Sequence, residues 1–421
     1  MQPIHFCTTK KTNMNKLLSL LLLCFANVSF AQKAGSVITN GGVDDVYYSF
    51  STDEVKRINR ANWDIGFILK GFDASILINE NAGVSLYVYG SDTSAWNSVD
   101  TANFGWSGLH NSEESWSLGA FANHGGGHPD YGWGTYTMTN HDINGDKIFI
   151  IKLSNGNYKQ IMIAKMSASG VYTVKVGDIG GNNSYYFQLD KKETAYAGKN
   201  FVFYNLANNT VVNEEPAAAS WDLLFTKYTS LIPVGQQFQP YLVSGVKINA
   251  GYEVAERTGF PTSSNDTSTL LWNKNVTEIG SDWKTFNNST FLYDIEPDVT
   301  YFVRTSSGDV WKIYFTDYKG GSEGGFYFNT QKMTGSASVN KLITLQSNIY
   351  PNPAKSEVQL VNNETSEVTA TVIDMQGRVL TSAKLNALET VSLSTSSFAR
   401  GVYTVIFANE YSTASKKLIL E

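Results

Sequence analysis

The chain has 421 residues, more than one ordinary core holds. Aromatic residues make up 13% of it, with 35 Gly and only 9 Pro. This composition predicts two or three globular domains of mostly β structure joined by tight turns. The formal charge of -6 falls by the three lysines within residues 1–31, which hold no acid, so the remainder carries -9 and nucleic acid is not an expected partner.

Residues 14–31, "MNKLLSLLLLCFANVSFA", combine a basic start, an apolar run from Leu17 to Phe25, and small residues Ser29 and Ala31 before a cut. This predicts a secretory signal peptide over 1–31, with translation starting at Met14 and residues 1–13 as an overhang. Leu23 stands where a lipobox needs a small residue, which argues against a lipoprotein. Cys7 and Cys24 are the two cysteines, and both would leave with the leader. Disulfides, cysteine–zinc sites and cysteine nucleophiles are then excluded from the mature chain. No later apolar run approaches the length of a membrane span.

The next 300 residues repeat themselves. Val46-Tyr-Tyr-Ser-Phe50 followed by Asn62-Trp-Asp-Ile-Gly-Phe67 is echoed by Phe201-Val-Phe-Tyr204 and Ser220-Trp-Asp-Leu-Leu-Phe225. Further on, 132–163 runs parallel to 282–315. Two homologous units follow, at 32–190 and 191–335. Each reads as strands. Ile148 to Leu153 and Tyr158 to Ile163 flank Asn155-Gly156, and Tyr301 to Arg304 and Val310 to Phe315 flank Ser307-Gly308; each pair predicts a hairpin closed by a two-residue turn. From Met333 the segment "TGSASVNKLITLQS" is small and polar, giving a linker over 336–346. Short apolar runs then predict a compact β-sandwich over 347–421.

That last block carries "YPNP" at 350–353, "DMQGR" at 374–378, "ARGVYTV" at 399–405 and a terminal "KKLIL". On these motifs it resembles the type A C-terminal sorting domain of the type IX secretion system of Bacteroidota. The resemblance implies a secreted or cell-surface protein that engages the type IX machinery through 347–421. The two repeats resemble the HmuY family through the Trp-Asp-aliphatic-X-Phe runs at 63–67 and 221–225, the hairpins, and "TDYKGGSEGGFYFNTQKM" at 316–333. This implies two antiparallel all-β domains in tandem, haem or another porphyrin as ligand, and an outer-membrane haem receptor as partner.

A haem pocket needs an aromatic-lined cleft and axial His or Met side chains. After residue 31 the histidines are His110, His124, His128 and His141, interleaved with Trp96, Trp106, Trp116 and Trp133. The expected axial pair is His141 with His124 or His128, and His110 is the reserve. Aligning Asp142-Ile143 with Asp294-Ile295 puts Tyr293 opposite His141, so the first unit should carry the haem. Two alternatives stand beside this reading: a surface adhesion or interaction module that kept the fold without haem, and a metal site formed by His124, His128 and Asp130. Enzymatic activity is not expected: no G-x-S-x-G, P-loop or HExxH motif occurs, and the Asp of each Trp-Asp pair reads as a hydrogen-bonded structural group.

Overall fold

The computed structural model describes residues 32–421 except 103, 235–236, 268–269, 321, 334–346, 365, 375–377 and 410–412. The signal peptide expected over 1–31 and the linker expected over 336–346 lie outside the described residues. The fold is all-β and antiparallel; the helical segments among the described residues are 3-10 turns of three to six residues. None is long and apolar enough to cross a membrane.

The Trp-Asp repeats organise the two larger bodies. In the first, Ile65–Ile68 pairs with Ile76–Ile78 on one side and with Phe201–Asn205 on the other. In the second, Leu223–Val234 pairs with Gln237–Ile248 and with Asp44–Ser49. Each Trp-Asp strand therefore takes its neighbour from the other sequence repeat. The four-stranded sheet that results in each body faces a larger one. The first body adds Tyr185–Asp190, Val171–Gly177, Tyr158–Met166, Ile148–Lys152, Ser85–Gly90 and Gly108–Leu109 in that order, and the second adds Lys33–Ile38, Gly325–Lys332, Val310–Lys319, Thr300–Arg304 and Glu253–Arg257. One core runs from Ile65 to Leu206 in sequence, and the other joins Val37, Val46, Tyr48 and Phe50 to residues 223–328.

This corrects the division at 190/191. The cores divide instead into 60–216 and into 32–59 with 220–333, because Lys33–Ile38 pairs with Gly325–Lys332 and Asp44–Ser49 pairs with Leu223–Val234, both in the second repeat. The registers also fix the equivalences: Ile65 lies opposite Tyr204 as Leu223 lies opposite Tyr48, so Tyr48 matches Tyr204 and Asp45 matches Phe201.

The turn prediction is corrected as well. Leu153 N donates to Asn157 O and Gly156 N to Leu153 O, and Thr305, Gly308 and Asp309 repeat the pattern. The loops thus have three residues, with positive φ confined to Gly156 (86°) and Gly308 (90°), the bulged form of hairpin turn.

The outer faces of the two four-stranded sheets pack on each other. Trp63 stacks on Phe203 with ring centroids 4.4 Å apart, and Tyr47 meets Trp221 edge-on at 5.0 Å. With both faces covered, every residue of Ile65–Ile68, Phe201–Asn205 and Asp44–Ser49 is buried, which explains runs without polar alternation.

Two carboxyls at this junction are shifted. Burial raises Asp45 to about 6, against hydrogen bonds from Thr226 and Asn81, and raises Glu215 to about 7, against Phe201 and Asn200 N–H groups. Their ordinary values are 3.8 and 4.5, so the folded chain keeps protons that the unfolded chain releases. The stability this contributes is complete below those ordinary values and is lost as pH rises through 6 and 7, with a ceiling of about 3 kcal/mol per group. Burial lowers Lys284 to about 7, which adds stability only as pH rises above that value. The urea midpoint of residues 32–421 is expected to fall from about pH 5 to about pH 7, and Glu215→Gln is expected to flatten that fall.

The C-terminal body is a sandwich. Ser347–Tyr350, Glu357–Asn362 and Thr390–Ser394 form one sheet; Val379–Leu385, Val368–Ile373, Gly401–Ala408 and Thr413–Leu420 form the other. Alternate residues such as Val358, Leu360, Val368, Val372, Val405 and Phe407 fill the space between. Asn352 of the YPNP motif donates from Nδ2 to Lys417 O and accepts from Ile419 N, so this motif pins the terminal strand. Tyr403 donates to Ala399 O, closing the ARGVY turn.

Candidate functional site

The loop 119–132 carries "ANHGGGHPD" and is ordered by its own polar groups. The Asp130 carboxylate accepts from Gly126 N at 3.0 Å and Gly132 N at 2.7 Å. Tyr136 N donates to Pro129 O, and Asp130 N to Gly127 O. Glycine is required where the strands of the loop touch: a Cβ on Gly125 would lie 2.6 Å from Gly132 N. Gly125 therefore serves a close backbone approach and Gly127 a left-handed turn at φ 83°, rather than looseness.

This path separates the histidines. His128 and His141 line one cleft, of about 530 Å³, together with Phe72, Tyr131, Tyr136 and Met166. His110 and His124 line another, of about 490 Å³, with Glu113, Glu114 and Thr229 among its walls. Of the two histidines expected opposite His141, His128 shares its cleft and His124 lines the other. His124 packs edge-on to Phe149 at 6.0 Å, and burial holds its imidazole below the ordinary value. His110 Nδ1 lies 3.2 Å from a carboxylate oxygen of Glu80.

In the first cleft Tyr136 links the two histidines. Its ring centroid is 5.0 Å from that of His128 and 6.0 Å from that of His141, and its hydroxyl is 2.5 Å from His141 Nδ1. When Nδ1 carries the proton and donates to the phenol oxygen, Nε2 is bare, the tautomer that ligates a metal. His141 sits at φ 59° immediately before the strand Asp142–Gly145, so a hairpin end positions it. Both histidines are exposed, Met166 is buried, and Phe72 is 85% exposed. The arrangement is an apolar, aromatic cleft with two imidazoles, within the ~300–1,000 Å³ range of small-molecule sites.

Sequence reasoning missed Phe72, Tyr131, Tyr136 and Met166. Only Tyr136 left a signal, five residues before His141 across one hairpin. Three of the four tryptophans prove to be packing residues: Trp96 and Trp133 are buried, Trp133 Nε1 donates to Ala74 O, and Trp116 Nε1 donates to Ile248 O, whereas Trp106 is 46% exposed. The metal site of His124, His128 and Asp130 does not form. The two histidines line different clefts, the aspartate is committed to the loop backbone, and no group of three or more His, Cys, Asp or Glu among the described residues could hold a metal ion.

The counterpart of His141 is also corrected. Thr137 pairs with Asp142 as Asn287 pairs with Leu292, and His141 and Phe291 share a positive φ of 59° and 57°. Phe291, not Tyr293, stands in its place, so the second body offers no ligand there. Asp64 and Asp222 accept hydrogen bonds from Ser154 and Leu206, and from Phe50 and Tyr252, as structural groups do.

Residues 348–421 match the family of secretion system C-terminal sorting domains. No curated protein matches the chain.

Proposed function

From a chain whose residues 348–421 are a type IX sorting domain directing export to the cell surface or outside, we propose a non-enzymatic ligand-binding protein that captures haem in the cleft of His128 and His141. One observation carries this reading: two exposed imidazoles share an apolar cleft with Tyr131, Tyr136, Phe72 and Met166. A planar porphyrin matches aromatic walls, and its iron takes an imidazole nitrogen. Tyr136 is a positioning residue, because its hydroxyl fixes the His141 ring.

Haemin titrated into residues 32–421 is expected to saturate with a sharp, shifted Soret band. His128→Ala with His141→Ala should abolish that band, and His110→Ala with His124→Ala should leave it. Tyr136→Phe should weaken binding about tenfold. A broad, unsaturable spectrum indifferent to all of these overturns the reading.

A surface interaction module is the second reading, and a specific feature favours it. The hairpin of Leu223–Val234 and Gln237–Ile248 pairs over its whole length, and its outer half exposes Leu231, Val234, Phe238 and Tyr241. Exposed apolar residues so grouped mark contact surfaces.

A further inference from the structure

The histidine cleft does not end at its own walls. A second hollow, of about 200 Å³, shares Phe72, Met166, Ser167 and Ala168 with it and continues to Leu69, Lys191 and Lys192. One depression therefore runs from two imidazoles, past aromatic and thioether side chains, to a pair of lysines.

Strand register brings that far end together. Val171 pairs with Asp190 at the end of the strands Val171–Gly177 and Tyr185–Asp190, and Lys191 N donates to Gly170 O. The turn before Val171 thus lies beside the lysines that follow Asp190. It carries two hydroxyls, Ser167 Oγ and Ser169 Oγ, 2.7 Å apart.

The two lysines play different parts. Lys191 is 7% exposed, and its ammonium donates to Gly71 O at 2.8 Å, Asp73 O at 2.5 Å and Lys70 O at 3.5 Å. Those carbonyls flank Phe72, so Lys191 uses all three donors to fix the turn that presents the shared aromatic ring. Lys192 is exposed. Its backbone N–H donates to Asp190 Oδ1, but its ammonium makes no hydrogen bond or ion pair among the described residues.

The chemistry of a ligand spanning both hollows follows from the two ends. The histidine end takes a flat apolar ring, and the far end offers a free ammonium and two hydroxyls, donors suited to carboxylate oxygens. A cationic group there would meet Lys192. Haem carries two carboxylates on one edge of an otherwise apolar ring, so this end decides which edge lies beyond Phe72. Resting on the haem reading above, we propose that the hollow beyond Phe72 is the carboxylate end of the site, where the Lys192 ammonium and the Ser167 and Ser169 hydroxyls bind the acid groups of the porphyrin.

The test titrates iron-free protoporphyrin IX and its dimethyl ester into residues 32–421, followed by quenching of tryptophan fluorescence. Neither molecule needs an iron ligand, so the result is independent of the histidines. The diacid is expected to bind about tenfold more tightly than the diester. Lys192→Glu, at an exposed position, should keep the urea midpoint, weaken the diacid about tenfold and leave the diester unchanged. Lys384→Glu, the same charge change in the C-terminal sandwich, should alter neither. Equal binding of diacid and diester, a diacid affinity indifferent to Lys192→Glu, or no binding of either porphyrin overturns this assignment. Histidine-dependent binding of haemin can survive the first two results, and its loss alone would sink the haem reading while the carboxylate end stands.

Discussion

Residues 60–216 expressed alone are expected to unfold cooperatively in urea, whereas residues 191–335 alone are expected to show no transition. The first fragment contains every member of the core that runs from Ile65 to Leu206. The second lacks Val37, Val46, Tyr48 and Phe50, all buried in its core, and lacks the strand Lys33–Ile38 that pairs with Gly325–Lys332. Each such side chain contributes about 1.5–3 kcal/mol on burial. Four of them match the whole stability of many domains, about 5–15 kcal/mol, before the unpaired strand edges are counted. Adding a peptide of residues 32–59 to residues 191–335 should restore the transition. Circular dichroism against urea reads both results, and cooperative unfolding of 191–335 without the peptide would show that the exchanged strands are dispensable. The first fragment exposes Trp63, Leu77 and Phe203 of the junction, so it is also expected to self-associate.

The exchange was not legible in the repeats, although the repeats were. Period-two patterns and Gly-containing turns announce hairpins such as 148–166 because both partners are local. Nothing local tells whether Ile65 pairs with Tyr204 or with Tyr48, since the two neighbours are built alike. The turn length was misread because Asn155-Gly156 suits a two-residue turn, while only Gly156 takes positive φ. His141 was legible as a positioned residue because it precedes a strand, but its cleft-mate depends on the path of the glycine loop, which the Asp130 carboxylate fixes through Gly126 N and Gly132 N. The junction left a fainter trace: Asp45 and Lys247 sit inside buried runs of their strands, and a local rule broken inside a buried run is where function or strain is expected. The C-terminal sandwich was the most legible region, because its motifs are themselves the contacts that close it.

Asp64→Ala is expected to destabilise the first body by about 3–5 kcal/mol, among the larger effects of a single substitution. Asp64 is fully buried. One carboxylate oxygen accepts from Ser154 N and Ser154 Oγ, both at 2.9 Å, and the other accepts from Leu206 N at 2.8 Å. It thus ties the Trp-Asp strand to the 153–157 turn and to the end of the exchanged strand, three segments far apart in sequence. Alanine leaves three donors without their acceptor, Leu206 N in a buried position and Ser154 N and Oγ in a partly buried one, and hydrogen bonds to a charged acceptor are the stronger kind. Asp222→Ala removes acceptance from Phe50 N at 2.7 Å and Tyr252 OH at 2.8 Å, two donors instead of three, and should cost less, about 2–4 kcal/mol. Asp64→Asn keeps one acceptor oxygen but turns an amide donor toward the donors on the other side, so it should recover only part of the loss. Urea midpoints of the three variants rank these effects. A midpoint for Asp64→Ala equal to the parent would mean that neither the turn nor the exchanged strand depends on this carboxylate.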